Sequence, residues 1–254
     1  MIDLLVLSPH LDDGALSCGG RIAQAARRGE RVAIVTAFAA PEPEEPLSEL
    51  ARMLHRGWGL PPGEVIATRR REDRDACRVL CAEPLHLELP EAPYRRHPRS
   101  GAALYATPEA LFRTAAEGDE GAPVALERAL RGMPPARRVA APLGVGGHVD
   151  HRLVRAAAES CFDAALEYYE DFPYVAQTWR GLARALGRRR SWLSEVVALT
   201  QADVAARCEA IACFRSQLGP LFGTAARMER AVRRRVARVG GERTWRRRPP
   251  GGRR

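Results

Sequence analysis

Short apolar runs alternate with longer amphipathic stretches along the first part of the chain. Residues 4–7 and 31–38 are largely apolar. Residues 15–28 between them are rich in Ala and end beside Gly29, a residue type that commonly follows a helix. Strands that are apolar on both faces are typical of parallel sheets covered by helices on both sides. The pattern predicts an α/β fold with a mostly parallel sheet flanked by helices, in three α/β/α layers.

The same periodicity extends the alternation through the rest of the chain. Helices are predicted at residues 47–58, 69–80, 152–165 and 205–215 and within 108–131, and strands at 64–68, 85–89, 138–142 and 165–169. Residues 41–46 form an acidic, proline-rich loop, and residues 93–107 lack periodicity, as expected for a long loop that covers a site. Residues 1–238 are predicted to form one domain, and residues 239–254 a disordered tail rich in Arg, Gly and Pro.

Composition narrows the choice of partner and compartment. The 12 Arg and 2 Glu of residues 227–254 account for more than the whole formal charge of +9. Because Trp245 is the one aromatic residue of that segment, a solvated end is favoured over a specific nucleic-acid or lipid partner. No stretch of about 20 residues is free of charge. The first strand begins at residue 2, which leaves no room for a signal peptide. We therefore expect a cytoplasmic protein without a transmembrane segment, and its oligomeric state stays open.

Ionisable side chains crowd the end of the first apolar run. Residues 4–7 are followed at once by Ser8, Pro9, His10, Leu11, Asp12 and Asp13. Charged groups at the mouth of a buried strand are costly unless they are paired or bind something, and a divalent metal is the natural ligand. The alternative is an Asp that caps the following helix beside a solvent-exposed His.

A second cluster follows the strand predicted at 138–142 and a Gly-rich turn, and it contains His148, Asp150 and His151. In doubly wound sheets, ligands bind outside the carboxyl ends of the strands, so both clusters should lie on one edge. His10, Asp13 and His151 could then supply a His₂Asp set for a catalytic zinc ion with one open position.

The remaining members of the two clusters would perform the chemistry of amide hydrolysis. Asp12 is free to take a proton from water, and His148 is free to donate to an oxyanion. Asp150 could hold the His148 ring and favour its charged form.

The segments SPHLDD and GGHVDH resemble the PIG-L/LmbE-like family of zinc-dependent N-acetylglucosamine deacetylases. The resemblance covers most of residues 2–222, and further segments agree in order: the Arg-x-x-Glu pattern at 69–72, PEAPYR at 90–95, YYEDFPY at 168–174 and FRSQ at 214–217. It implies a Rossmann-like, LmbE-like fold and an N-acetylated amino-sugar substrate. It also implies a Zn²⁺ ion held by His10, Asp13 and His151, with another divalent ion such as Fe²⁺ as an alternative. Asp12 is the implied base, and His148 the implied oxyanion partner and acid.

The resemblance also suggests substrate contacts. Arg69 would bind a sugar hydroxyl or phosphate, although its neighbours Arg70 and Arg71 could take that role, or the run could be a solvated helix face. Tyr94 and Arg95 would line the sugar pocket. Two other readings keep the fold: an amidase of the same family acting on a thiol-sugar conjugate, and a sugar-binding relative that has lost activity.

Several other polar residues are assigned less specific roles. None of the six cysteines stands at CxxC spacing, so they are expected to be small apolar core residues. The other three histidines lack partners at ligand spacing and are expected in packing or surface positions: His55, His86 and His97. Glu170 and Asp171 could contact substrate, brace the metal loop or serve as caps. Gly14 stands where the family often has Glu, which removes a carboxylate but no implied ligand.

Overall fold

The computed structural model describes residues 1–43, 46–162, 165–177 and 179–249. Within these residues, seven strands form one sheet in the order β3-β2-β1-β4-β5-β7-β6. The strands are β1 (Ile2–Ser8), β2 (Val32–Thr36), β3 (Glu83–His86), β4 (Ala136–Pro142), β5 (Leu166–Tyr169), β6 (Trp192–Val197) and β7 (Glu242–Arg247). The first five strands pair in parallel, whereas β7 is antiparallel to both of its neighbours.

Helices cover both faces of the sheet, which confirms the predicted three-layer α/β fold. They are α1 (Asp13–Arg27), α2 (Glu49–Trp58), α3 (Val65–Leu80), α4 (Gly121–Arg131), α5 (Val149–Cys161), α6 (Tyr174–Gln177), α7 (Trp179–Leu186), α8 (Gln201–Ala212), α9 (Arg215–Phe222) and α10 (Ala225–Val239). Short 3₁₀ helices lie at Ala92–Tyr94, Pro108–Phe112 and Arg189–Ser191. No helix of the described ranges is long and apolar enough to cross a membrane.

The two faces of β1 explain why its apolar run is uninterrupted. Side chains alternate along a strand, so Leu4 and Leu5 point to opposite faces. Leu4 packs in the core beneath α1, α3 and α8, whereas Leu5 packs in the core beneath α4 and α5. Both residues are fully buried. A strand buried on both faces must be apolar throughout, so the continuous apolar run indicates a central strand.

The strand order reverses at β1, which pairs with β2 on one side and with β4 on the other. This is the switch point at which open α/β sheets bind ligands, outside the carboxyl ends of the strands. The chain leaves β1 at Ser8 and leaves β4 at Pro142, so the two polar segments predicted from sequence emerge next to each other.

One strand predicted from sequence is wrong. The strand predicted at 64–68 is the first turn of α3, because Val65 and Ile66 form the buried side of that helix. Apolar residues in so short a window do not distinguish a strand from a buried helical turn. The loop of 41–46 and the helix of 152–165 were predicted across residues 44–45 and 163–164, which lie outside the described part of the chain.

The predicted disordered tail is also corrected. Residues 242–247 form β7, which lies inside the sheet between β5 and β6. Trp245 is 1% exposed, and Glu242 accepts hydrogen bonds from the backbone N–H groups of Gly20 and Arg21. The domain therefore extends beyond residue 238. The composition of the segment does not indicate a strand, because the strands that pair with it are distant in sequence. Residues 250–254 of the predicted tail lie outside the described residues.

The cysteine prediction agrees with the structure in its main point. All six cysteines are free thiols, and Cys18, Cys77 and Cys208 are buried in the core. Cys81 differs, because it is exposed at the end of α3.

Candidate active site

A tight turn after β1 positions the first polar cluster. The Ser8 hydroxyl donates to the carbonyl of His10 and accepts the backbone N–H of Gly14, which ties the end of the strand to the start of α1. Asp12 occupies the N-cap position, but its side chain makes no capping hydrogen bond. The capping alternative therefore does not describe Asp12. The Asp13 carboxylate accepts the backbone N–H of His10 at 2.9 Å.

The three predicted ligands meet at one oxygen atom, which belongs to Asp13. Oδ2 of Asp13 lies 3.0 Å from Nδ1 of His10 and 3.3 Å from Nε2 of His151. One ligand atom from each residue lies within 4.8 Å of the others. Two imidazoles and one carboxylate form a donor set that suits Zn²⁺ or Fe²⁺. This cluster of His10, Asp13 and His151 is called the metal cluster below.

Each histidine ring of the metal cluster also contacts a carboxylate other than that of Asp13. The far nitrogen of His10, Nε2, lies 3.0 Å from Oδ2 of Asp150, and the far nitrogen of His151, Nδ1, lies 2.7 Å from Oδ1 of Asp171. Each ring therefore turns one nitrogen toward Asp13 while a carboxylate fixes the other. Metal-binding histidines in proteins are oriented in this way, and the arrangement fits the implied divalent ion.

The electrostatics of the metal cluster favour positive charge. Burial alone would lower the pKa of His151, but Asp13 and Asp171 raise that pKa to about 9. Burial alone would raise the pKa of Asp13, but the neighbouring His151 and His10 hold it well below its usual value. Burial also opposes protonation of His10, and the hydrogen bonds to Asp13 and Asp150 raise its pKa well above the usual value. A site that stabilises positive charge is the environment a divalent cation needs.

Asp12 lies beside the metal cluster without joining it. Asp12 is 7% exposed, and its Oδ1 lies 3.9 Å from Nη2 of Arg69. Burial and the adjacent charge of Asp13 raise the pKa of Asp12 to about 7, against the opposing effect of Arg69. A carboxylate with a pKa near neutrality can both accept and return a proton, which is the property of a general base.

His148 faces the cluster from the other side, and the structure defines its tautomer. His148 is the N-cap residue of α5, and its Nδ1 accepts the backbone N–H of Asp150 at 3.2 Å. In a neutral ring the proton must then lie on Nε2, which becomes a hydrogen-bond donor. Burial, with the nearby positive His10, lowers the pKa of His148 to about 3. Asp150 raises the pKa of His148 and so favours its charged form, as predicted, but burial and His10 outweigh this effect.

The Asp150 carboxylate has other partners than those predicted. Besides His10, it accepts the backbone N–H of Ala92 at 3.0 Å and forms an ion pair with Arg95, whose Nη1 lies 2.7 Å from Oδ1. Arg95 lowers the pKa of Asp150 far below its usual value, although burial alone would raise it. Asp150 thus orients His10 and does not hold the His148 ring with its side chain.

Two aromatic side chains that sequence reasoning did not select line the open side of the site. The ring of Phe112 meets that of His148 edge-on, with centroids 5.4 Å apart, and remains 44% exposed. Tyr174 packs edge-on against His151 at 5.9 Å and against Phe112 at 6.3 Å. Phe112 lies in the long loop of residues 93–119. Its position beside His148 depends on how that loop folds, which the sequence pattern does not predict.

Comparison with known proteins agrees with this geometry. The family model described as PIG-L, GlcNAc-PI de-N-acetylase, matches residues 5–162. The chain belongs to the PIG-L family. That match includes both polar segments, the end of β1 and the strands β2 to β4, so the resemblance drawn from the sequence motifs is confirmed.

Relatives of this PIG-L protein include named deacetylases. The chain is 34% identical over 179 residues to 2'-N-acetylparomamine deacetylase from Streptomyces fradiae, and the match covers 68% of this chain and 58% of that protein. A protein of the same name from Niallia circulans is 28% identical over 188 residues, with 68% of each chain covered. The chain thus spans a little over half the length of the Streptomyces relative.

Solved structures with this fold cover nearly the whole PIG-L chain. The zinc-inhibited form of teicoplanin deacetylase Orf2 superposes with a TM-score of 0.80, is 26% identical, and covers 98% of this chain and 100% of its own. The deacetylase of the A40926 pseudoaglycone superposes with a TM-score of 0.72 at 26% identity, covering 96% of each chain.

The structure resolves which arginine of the Arg-x-x-Glu segment faces the PIG-L site. Arg69 is 3% exposed, and its Nη1 lies 2.7 Å from Oε1 of Glu91. Arg70 binds elsewhere, and Arg71 donates to Thr68 at the surface. A solvated helix face is thus wrong for Arg69. The partner Glu91 was not selected from sequence, where no spacing links it to Arg69.

The other two predicted substrate contacts have protein partners. The Tyr94 hydroxyl lies 2.7 Å from Nε2 of His55 in the interior, and Arg95 is held between Asp119 and Asp150. Arg95 therefore positions Asp150, and the sugar-pocket role of Tyr94 and Arg95 stays a prediction. The packing role predicted for His55 agrees with its burial.

Two further segments brace the site. Oδ2 of Asp171 accepts the backbone N–H of Val145 at 2.7 Å, and the other carboxylate oxygen contacts His151. Asp171 therefore braces the metal loop, which is one of the roles predicted for it. The Glu72 carboxylate accepts both the backbone N–H and the hydroxyl of Ser216, at 2.9 and 2.6 Å. The two distant motif segments, Arg-x-x-Glu and FRSQ, meet through this contact.

The departure at Gly14 has a local packing reason. A Cβ at this position would lie 3.0 Å from Cγ2 of Ile34 and 3.5 Å from the side chain of Ser8. A larger residue would therefore require Ile34 on β2 to shift. Position 14 contributes no atom to the metal cluster in any case, because the candidate ligand atoms come from positions 10, 13 and 151.

Proposed function

We propose that this protein is a divalent-metal-dependent hydrolase, with Zn²⁺ as the expected ion, that removes the N-acetyl group from an N-acetylglucosamine-type amino sugar or its conjugate. The observation that carries the proposal is the metal cluster with a carboxylic acid of near-neutral pKa, Asp12, on one side and a hydrogen-bond donor, His148, on the other. The family and its named relatives support acetyl removal as the reaction.

Each residue has a defined part in the proposed reaction. His10, Asp13 and His151 would hold the ion, which when bound would polarise the acetamide carbonyl and lower the pKa of the attacking water. Asp12 takes a proton from that water as the oxygen attacks the carbonyl carbon. The Nε2–H of His148 donates to the carbonyl oxygen as it gains negative charge.

Departure of the amine completes the proposed reaction. The C–N bond breaks, and the products are acetate and the free amino sugar. Because His148 is a neutral donor, it carries no spare proton for the nitrogen. Asp12 is therefore assigned to return the proton it took to the leaving amine. This replaces the acid role that the family resemblance implied for His148.

A screen of acetylated substrates tests the proposal. The protein is stripped of metal, reloaded with Zn²⁺ or Fe²⁺, and incubated with 2'-N-acetylparomamine, acetylated teicoplanin and free N-acetylglucosamine. Acetate and free amine are measured together. We expect equimolar release of both from at least one amino sugar, dependent on added metal. Release of a longer acid from an acylated thiol-sugar conjugate alone would support the amidase alternative. Sugar binding without release would support the inactive relative and overturn the proposal.

A further inference from the structure

A chain of buried charged groups leads from the metal cluster into the long loop of residues 93–119. It begins at Asp150, whose Oδ2 lies 3.0 Å from Nε2 of His10. Oδ1 of Asp150 lies 2.7 Å from Nη1 of Arg95, and Nε of Arg95 lies 2.9 Å from Oδ1 of Asp119. The three residues beyond His10 are each at most 5% exposed. Their charges alternate in sign, so each group offsets the cost of burying its neighbours.

The chain continues from Asp119 to residues 105–116, called the Phe112 segment below. The Tyr105 hydroxyl donates to Oδ2 of Asp119 at 2.6 Å and accepts the backbone N–H of Ala116 at 3.2 Å. Because Tyr105 and Ala116 are the two ends of the Phe112 segment, the second hydrogen bond closes the segment that places a ring beside His148. The same chain of contacts therefore reaches the metal cluster at one end and the Phe112 segment at the other.

The planar side chain of Arg95 transmits the position of Asp119 to Asp150. A guanidinium is rigid, so a contact at Nε fixes the direction in which Nη1 points. Here Nε faces Asp119 and Nη1 faces Asp150, in ion pairs that are not aligned as hydrogen bonds. The ring centroids of Phe38 and Tyr105 lie 5.1 and 5.2 Å from the central carbon of the guanidinium. Without Asp119, the guanidinium would keep a carboxylate partner at one end only.

We propose that Asp119 is a positioning residue for the metal cluster. Through Arg95 and Asp150, it fixes the ring of His10. Through Tyr105, it couples metal binding to the placement of the Phe112 segment. This role rests on the metal site of the proposed function and requires no particular substrate.

Zn²⁺ affinity tests the inner half of the chain of contacts. Each full-length protein is stripped of metal and titrated with Zn²⁺ in competition with a chromogenic chelator. Outer-shell changes typically cost about 10- to 100-fold in affinity, so Asp119→Asn, one link further out, should cost about three- to tenfold. Glu117→Gln removes an exposed carboxylate of the same loop and should bind Zn²⁺ like the unaltered protein.

Tyr105→Phe keeps every charge and nearly all of the packing, so it tests the same contacts if Asp119→Asn does not fold. Loss of the hydroxyl releases one oxygen of Asp119 and should cost about two- to threefold in Zn²⁺ affinity. An unchanged affinity in Asp119→Asn, or in Tyr105→Phe where Asp119→Asn does not fold, would overturn the proposal.

A double-mutant cycle separates positioning from a simple effect of charge. In the Asp150→Asn background the path to His10 is already broken, so adding Asp119→Asn should change Zn²⁺ affinity less than about twofold. A carboxylate that acts only through its field would weaken binding equally in both backgrounds, and that result would overturn the proposal. Failure of the unaltered protein to bind Zn²⁺ would overturn this proposal and the proposed hydrolase together. The expected affinities without acetate release would contradict the proposed hydrolase alone.

Hydrogen exchange tests the outer half of the chain of contacts. Coupling is reciprocal, so contacts that strengthen metal binding are themselves strengthened when the metal binds. Exchange of the Ala116 amide should therefore slow about three- to tenfold on saturation with Zn²⁺, and this response should disappear in Asp119→Asn. The Gly101 amide donates to the carbonyl of His97 in the same loop, outside the chain of contacts, and should not respond. Equal exchange of the Ala116 amide with and without Zn²⁺ would overturn the proposal.

Discussion

Nε2 of His10 lies 3.0 Å from Oδ2 of Asp150, although 140 positions separate the two residues. This contact joins the segment after β1 to the first turn of α5, and it sets which nitrogen of His10 turns toward Asp13. Arg95 and the backbone N–H of Ala92 hold Asp150 in place. The metal cluster therefore depends on a carboxylate that is not one of its ligands.

Replacing that carboxylate should weaken metal binding without removing a ligand. Asp150→Asn keeps the size of the side chain but loses the charge that pairs with Arg95 and with His10. Outer-shell changes of this kind typically cost about 10- to 100-fold in metal affinity. Competition with a chromogenic chelator measures the Zn²⁺ affinity. Asp75→Asn, at an exposed acid on α3, is the control. An unchanged affinity in Asp150→Asn would show that Asp150 has no orienting role.

Asp12 and His151 should fail in different ways. Asp12→Ala leaves the three ligand residues intact, so it should bind Zn²⁺ normally while acetate release falls by roughly 10²- to 10⁴-fold, the usual contribution of a general base. His151→Ala removes a ligand and should lose both metal and activity. Metal content and acetate release are measured on the same samples. Near-normal turnover by Asp12→Ala would rule out its assignment as base.

Phe112 should affect substrate affinity more than the chemical step. Its half-exposed ring stands beside His148, where the face of a bound sugar would meet it. Aromatic contacts of this kind contribute about 0.5–1.5 kcal/mol. Phe112→Ala should therefore raise KM about two- to tenfold with a smaller change in kcat. Val124→Ala, an exposed apolar residue on α4, should change neither constant. A fall in kcat at constant KM would instead point to a role in positioning His148.

Trp245 should contribute strongly to stability, contrary to the expectation of a disordered tail. Its indole is fully buried in β7, and its Nε1–H donates to Glu170 at 3.0 Å. Trp245→Ala should lower the free energy of unfolding by about 3–5 kcal/mol, as for other large buried rings. Urea denaturation measures the change. Trp179→Ala removes an indole that is 75% exposed and should shift stability little. Equal effects of the two substitutions would refute the placement of β7.

Glu167 should contribute stability that is lost in acid. Burial alone would raise its pKa, but Arg21 and Arg246 lower it below the ordinary value. A carboxylate with a depressed folded-state pKa stabilises the fold above its unfolded pKa, and that contribution disappears as pH falls through the folded-state value. Glu167→Gln should therefore reduce the fall in unfolding free energy between about pH 5 and the acid-unfolding range. Parallel pH profiles for the variant and the unaltered protein would contradict this linkage.

Local sequence pattern was sufficient to predict several parts of the molecule. The apolar run at residues 4–7 predicted a central strand because burial on both faces leaves no room for polar positions. Because parallel strands end at one edge, the pattern also predicted that the two polar segments following β1 and β4 lie together. His10, Asp12, Asp13, His148 and His151 were all selected in this way.

The partners of those residues depend on long-range contacts that local pattern does not predict. Asp150 turned out to hold His10, and Arg95 to hold Asp150, because the long loop after β3 folds back over the start of α5. The strand β7 was missed for the same reason: its Arg-rich sequence reads as solvated, yet Trp245 and Glu242 are buried by elements far away in the chain. Local pattern records how buried a segment must be, whereas the identity of each long-range contact is set by how the loops and the strand order bring distant segments together.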